Sequence, residues 1–438
     1  MDRQKLKTSV CQAIAAHGPE LIALAESIAR EPELGFKENK TAAKVSAVFD
    51  RYNIPYITGQ AVTGIKGRLT GRNSHRTVAV IGEMDAVTCV DHPLADPLTG
   101  AAHACGHHAQ IAAMIGCGLG LKQAGIMEHL DGDVALFAVP AEEYVEITYR
   151  NHLREEDKIG YLGGKAELIR CGAFDDIDMA MMIHLSTDND GSRSAHVGGT
   201  SNGFIGKMIR YIGREAHAAG APHEGINALN AAMLAIMAVN AQRETFRDED
   251  YVRFHPIITK GGDLVNVVPA DVRMESYVRA RTLDAMVDAN VKVNRALKAG
   301  ADAVGANIEI NDLPGFMPMI NEQKMTDLFS ANAASLIGQN NIKQLNHHAA
   351  STDMGDLAHI MPVIHPWLGG VSGAAHTRDF KIIDPEMAYI ISAQTMAMTV
   401  IDLLADKAAA ADDVLNTFKP KMTKAEYLVF MNGISNNQ

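Results

Sequence analysis

The sequence is poor in the features that mark several large protein classes. Its five cysteines stand at positions 11, 89, 105, 117 and 171. An odd count with no repeated spacing argues against a disulfide framework and leaves each thiol free to act as ligand or nucleophile. Basic residues are outnumbered, 40 Lys and Arg against 52 Asp and Glu, for a net charge of −12. Nucleic acid is therefore not the expected partner, because phosphate binding needs clustered cations. The first thirty residues lack a signal-peptide core, and no apolar run approaches the roughly 20 residues that span a bilayer. A cytoplasmic protein with no membrane partner is expected. There is no internal repeat, low-complexity tract or long charge run. What remains is a globular composition, 47% hydrophobic and 21% charged over 438 residues. That length exceeds one ordinary core and predicts more than one domain.

Residues 1–50 carry apolar positions at helical spacing (LIALAESIA, AAKVSAVFD). TVAVI, ending in GEMDA, reads as a buried strand and a turn; HACGHHAQIAAMIGCGLG reads as a loop entering a helix. DVALFAVPAEE, stopped by Pro140, and DIDMAMMIH read as two further buried strands. Strands alternating with helices predict a doubly wound α/β domain. From about residue 200 the order becomes strand, helix, two strands, helix and strand, with GFIGKMIRYIGREAHA alternating like an exposed strand. This is a small α+β unit of ferredoxin-like order. The expected layout is a catalytic α/β domain in two parts, 1–200 and 313–438, split by an inserted α+β domain at 201–312.

Four polar clusters follow predicted strands or lie in loops: Glu83 and Asp85, Glu142 and Glu143, His184, and Cys105 with His107. Ligands of open α/β sheets bind beyond the carboxyl ends of the strands, so one sheet would deliver all of these to one crevice. Alone, a buried Cys is usually core, a Glu pair usually a solvated face, and most of the 18 His structural. Together, thiolate, imidazole and carboxylate are the donors of zinc and related divalent ions. Of the adjacent His107 and His108, only one is expected to point at a metal. Two glutamates after one strand can divide labour, one binding metal and the other taking a proton from activated water.

In order along nearly the whole chain, GEMDA, AAHACGHH, VPAEE, GGKAELIRCGAFDDIDMAMMIH, GREAHAAGAPHEGINAL, NVVPADVRMESYVRA, STDMGDLAHIMPVIHPW and AAHTRDF resemble the aminoacylase and carboxypeptidase G family of metallopeptidases. Within it they look most like the aminobenzoyl-glutamate hydrolase and peptide-auxin conjugate hydrolase branch. The resemblance implies a metallopeptidase-like α/β domain with an inserted dimerisation or lid domain, and one or two divalent ions, zinc or manganese. It implies Cys105 as bridging ligand, His107, Glu143, His184 and His376 as the other ligands, and Glu142 as general base. Asp85 would orient a ligand, as metal-bound His commonly requires. His217 would reach a neighbouring subunit's site, and Asn266 and Arg279 would hold the substrate, the guanidinium suiting a carboxylate. A homodimer or larger homo-oligomer is implied.

The chain departs from that pattern between PAEE and GGK, where residues 144–162 intervene. Tyr144, Tyr149, Arg150, His152, Arg154 and Tyr161 in this insert would suit a planar, aromatic, anionic substrate if they lined the mouth of the site; a solvated loop is the other reading. His108 replaces the Asp or Asn common after the motif His. The leading expectation is hydrolysis of the amide of an N-acyl amino acid, an aminobenzoyl conjugate or a small dipeptide. The alternatives are release of ammonia from an activated aromatic amine such as a nitroanthranilate, a thiol hydrolase with Cys105 as nucleophile, and an inactive binding homologue.

Overall fold

The computed structural model describes residues 2–186 and 192–436. The chain divides into two compact units. The first comprises Met1–Gly199, Ile320–Asn346 and Asp356–Thr423; the second comprises Thr200–Met319, His347–Gly355 and Lys424–Gln438. The second unit therefore recruits two segments that lie far along the chain from its main body.

The first unit is built on a six-stranded sheet in the order Tyr56–Gln60, Gly64–Leu69, Asp133–Val139, Thr77–Glu83, Met179–Met182, Val363–Ile364. Thr77–Glu83 pairs in parallel with both neighbours, Asp133–Val139 and Met179–Met182. Every residue of these three strands is buried, as expected of parallel strands covered on both faces. Helix His107–Gln123 is apolar around its circumference and buried from His107 to Leu121. It lies against the sheet and against helices Arg3–Ala16, Gly18–Ala29 and Ser392–Thr417. Gly118 permits this closeness, since a Cβ there would collide with Leu136 of the neighbouring strand. By length and hydropathy Glu386–Thr417 could cross a membrane, contrary to the expectation that no segment would. Its apolar window is 94% buried and the backbone leaves helical geometry at Ala405–Ala408, so it is a core helix.

The second unit has a four-stranded antiparallel sheet in the order Arg253–Lys260, Asp271–Ala280, Gly203–Ile212, Asn307–Pro314. Helices Ala228–Ala241 and Leu283–Asp302 pack on each other and on the sheet. Gly203–Ile212 is a central strand, not the exposed one its alternation suggests, because it is paired on both sides. In Asp271–Ala280 every second residue from Val272 to Ala280 is buried, so one face meets the helices. Asn227 and Thr282 cap the helices by accepting from Leu229 and Asn230 and from Ala285, respectively.

Beneath the helices Lys207 lies wholly buried 2.5 Å from Asp312. Asp312 also accepts from the amides of Asn290 (2.7 Å) and Asn294 (2.9 Å). A buried pair adds little stability by itself, but removing one partner strands the other charge. Lys207→Met is expected to cost about 3–5 kcal/mol, read from the urea unfolding transition, and Lys207→Met with Asp312→Leu should recover most of it. A single variant as stable as the wild type would contradict the buried pairing.

Candidate metal centre

The sheet delivers its polar residues as strand endings. Glu83 is the last residue of Thr77–Glu83, and Asp85 lies two residues beyond. Glu142 and Glu143 follow Asp133–Val139 after Pro140, and His184 follows Met179–Met182. Cys105 precedes helix His107–Gln123, whose N-cap Gly106 is left-handed at φ 91°. The positive end of a helix favours a thiolate there. His376 arrives from the far end of the chain, also left-handed (φ 61°). Its backbone N–H donates to the Ala104 carbonyl at 2.8 Å, which ties the loop to the residue beside Cys105.

These side chains form one contiguous cluster. Cys105 Sγ lies 3.4 Å from His184 Nε2 and 3.3 Å from His376 Nε2. His376 Nε2 lies 3.0 Å from Glu143. His107 Nε2 lies 3.1 Å from Glu83 and 4.0 Å from Glu142. Three groups of donor atoms are each close enough to share an ion: Cys105, His107 and His184; Cys105, Glu143 and His376; Glu83, His107 and Glu142. His107 Nδ1 donates to the Asp85 carbonyl at 2.9 Å, and His184 Nδ1 donates to the Leu185 carbonyl at 3.0 Å. Both imidazoles therefore turn Nε2 toward the cluster. His107 Nε2 and Glu143 Oε1 are buried and make no well-directed hydrogen bond among the described residues. The donor chemistry, the tautomers and these two atoms fit a divalent ion.

The electrostatics reflect crowding of opposite charges. Burial and the charge of Glu143 push the Cys105 thiol up, but His184 and His107 outweigh them and hold it at about 6. The approach of its Nε2 to Cys105 and Glu143 raises His376 to about 11. Burial opposes the ionisation of Glu83, yet Lys165 and His107 keep its carboxylate below the usual range.

Asp85 accepts from the Glu143 backbone N–H at 2.8 Å and places its other oxygen 3.3 Å from His107 Nδ1. His108 turns away, toward His103 and Tyr389. His217, Asn266 and Arg279 belong to the second unit. The Ala218 N–H donates to the Asn266 carbonyl at 3.0 Å, so His217 and Asn266 are neighbours, and both are exposed. Arg279 pairs in register with Phe204, at the end of the sheet opposite Asp271 and Ile212. Eight residue steps along the strand separate the two ends, about 26 Å at ~3.3 Å per step. One copy of the unit does not bring Arg279 to His217 and Asn266. Arg279 instead donates to Ser351 at 2.7 Å and lies over the Phe204 and Tyr277 rings.

Of the two readings of the insert, the solvated loop is the one that burial argues against at three of the residues named for it. Tyr144, Arg150 and Tyr161 are buried, Arg150 at 1% exposure. His152 is exposed and pairs with Glu155 within helix Ile147–Glu155. Glu83 is the participant to which sequence reading assigns no role. Its signal is an acid closing the apolar run VAVIG, with Lys165 of GGK as counter-charge at 2.5 Å.

The model of peptidase family M20/M25/M40 matches residues 79–401. The Xaa-Arg dipeptidase of Mus musculus is 26% identical over 97% of this chain and 94% of its own length. An N-acyl-L-amino acid amidohydrolase of Geobacillus stearothermophilus is 26% identical over 69% of this chain and 78% of its own. Among solved structures, a dinuclear metal-binding peptidase of this family from Bacillus subtilis superposes with a TM-score of 0.66 at 22% identity, covering 89% of this chain and 99% of that one. An aminobenzoyl-glutamate utilization protein from Klebsiella pneumoniae gives 0.66 at 18% identity, covering 90% and 98%. A family match over most of the chain, set on this fold and this donor cluster, makes the protein a member of peptidase family M20/M25/M40, a hydrolase of carbon–nitrogen bonds.

Proposed function

We propose that the protein hydrolyses the amide bond of a small N-acyl amino acid, aminobenzoyl conjugate or dipeptide. The centre would hold one or two divalent ions, zinc or manganese, through Cys105, His107, Glu143, His184 and His376. One observation carries the reading: adjacent glutamates face different partners, Glu143 with Cys105 and His376, Glu142 with His107 and Glu83. Relatives that act on Xaa-Arg dipeptides and N-acyl amino acids support the substrate class.

Bound there, such ions would supply Lewis acidity, which lowers the pKa of water and polarises a carbonyl. Glu142 accepts the proton of the attacking water and returns it to the leaving nitrogen. Asp85 holds His107 and the Glu143 backbone. Arg279 is assigned to a substrate carboxylate, and His217 and Asn266 to the substrate of a neighbouring copy; residues at opposite ends of one sheet cannot meet one small molecule. Hydrolysis of an aromatic amine gains no support from Arg150, whose guanidinium bonds backbone carbonyls. A thiol mechanism would survive exhaustive chelation; the proposed one would not.

A homodimer is part of this reading. Arg253–Lys260 is an edge strand exposing Ile257 (61%) and Ile258 (42%), and helix Ala228–Ala241 exposes Met233 (54%) and Met237 (66%). Unpaired edges and clustered apolar side chains favour pairing with a second copy.

Three outcomes test the proposal. Glu142→Gln should lower kcat about 10²–10⁴-fold while equilibrium dialysis finds metal still bound; wild-type turnover would remove Glu142 from the chemistry. Metal affinity should rise with pH. His376, raised to about 11, is protonated in the metal-free site at neutral pH and must lose that proton to bind, and below about 6 the Cys105 thiol also competes. Calorimetry in two buffers at about pH 7 should register at least one proton released; none released would mean that His376 is already neutral in the metal-free site. Met237→Glu with Ile257→Lys should convert a dimer to a monomer in light scattering, and an unchanged mass would place any interface elsewhere.

A further inference from the structure

The segment that carries Glu142 and Glu143 is not held by the sheet. It lies beyond the strand end, after Pro140, and begins with Ala141 in the left-handed region at φ 56°, a conformation that an L side chain adopts only when its surroundings impose it. The imposing groups can be named. The Ala141 N–H donates to Glu38 Oε1 at 2.8 Å, and Glu38 is fixed in turn by the Thr63 hydroxyl, which donates to its other oxygen at 2.6 Å. The Ala141 carbonyl accepts from the Arg150 guanidinium at 3.2 Å, and the Leu162 carbonyl accepts at 2.8 Å. The same guanidinium donates to the Glu143 carbonyl. The Glu143 N–H is taken by Asp85. The peptide groups on either side of Glu142 are thus anchored independently.

Arg150 is an unusual group to bury for packing alone. It is 1% exposed, and its hydrogen-bond partners among the described residues are backbone carbonyls, not a carboxylate. Burying a cation without a counter-ion is costly, and an aliphatic side chain would fill the space more cheaply. A planar fork of donors is what three carbonyls pointing to one place require, and a lysine cannot reproduce it. The space is also reserved: a Cβ at Gly35 would strike both the Arg150 guanidinium and Ala141. Helix Ile147–Glu155, which presents Arg150, is braced at its start by Lys37, bonded to Glu146 at 2.7 Å and lying over the Tyr149 ring at 4.0 Å.

We propose that Arg150 is a positioning residue, and that the insert at 144–162 is a strut that aims Glu142 and Glu143 rather than a substrate-contacting loop. Arg150 touches neither substrate nor ion; it acts through the carbonyls of Ala141 and Glu143. The inference rests on the assignment of Glu143 as ligand and Glu142 as base.

The test uses the full chain as wild type, Arg150→Lys, Arg150→Met and Arg150→Ala, with circular dichroism to establish folding. Titration with Co²⁺, whose thiolate absorption reports Cys105, reads the site without turnover. Arg150→Met is expected to weaken cobalt binding and lower kcat, each by about 10–100-fold, as loss of groups that orient metal ligands does, with KM changing less. Arg150→Lys, which keeps the charge and much of the volume, should fall between, so a poorly folding Met variant does not end the test. Added guanidinium ion should restore part of the cobalt affinity and kcat of Arg150→Ala, an effect that lost packing alone would not produce. The strut is overturned if the variants keep cobalt affinity and kcat within twofold while only the melting temperature falls, or if KM alone rises. A wild type without thiolate–cobalt absorption would sink the ligand role of Cys105 instead, and the kcat comparison would then decide the strut.

Discussion

Glu83 closes a strand with no exposed residue and keeps its charge because Lys165 stands 2.5 Å away, as deeply buried as Glu83 itself. That pairing makes the rest of the site affordable. Once Glu83 is ionised at the sheet's end, His107 between it and Asp85 is favoured in its charged form when no ion is present. The thiolate of Cys105 is in turn favoured by His107 and His184. In a low-dielectric interior no member could hold its charge alone. A divalent ion would replace protons in such a network rather than enter a neutral cavity.

A second constraint is mechanical. Adjacent residues on a regular strand alternate between faces, and Glu142 and Glu143 use a comparable divergence beyond the strand, where no ladder enforces it. Left-handed Ala141, Glu38 on its N–H and Arg150 on its carbonyl take the place of that ladder. The insert is therefore structurally continuous with the site although it contributes none of the proposed ligands. Its Arg150 is almost wholly buried, which is why its composition misleads when read as a surface.

The second unit follows its own logic. Regular alternation in Asp271–Ala280 buries one face under two helices, and the antiparallel ladder places Arg279 and His217 at opposite ends. Its exposed apolar residues lie mostly on the edge strand, on both helices and in the loop with Leu264 and Val265, and the edge strand adds an open row of backbone groups.

Much of this was legible in the chain alone. Apolar strands ending in acids or histidine, and a cysteine before a helix, identified Cys105, His107, Glu142, Glu143 and His184 as neighbours, because strand direction carries such endings to one edge. The ferredoxin-like order was equally readable from periodicity. His376 was legible only through the resemblance, since no strand announces it; it reaches Cys105 through a left-handed turn bonded to Ala104. Two things were decided only by the tertiary structure. Glu83 is defined by Lys165, 82 residues away. Arg150 looks like a surface cation in the sequence and becomes a buried clamp because three carbonyls, two flanking the proposed base and one at Leu162, converge on it. Local pattern dictates which residues leave a strand together; only long-range packing dictates what stands opposite them, and buried charge depends on what stands opposite.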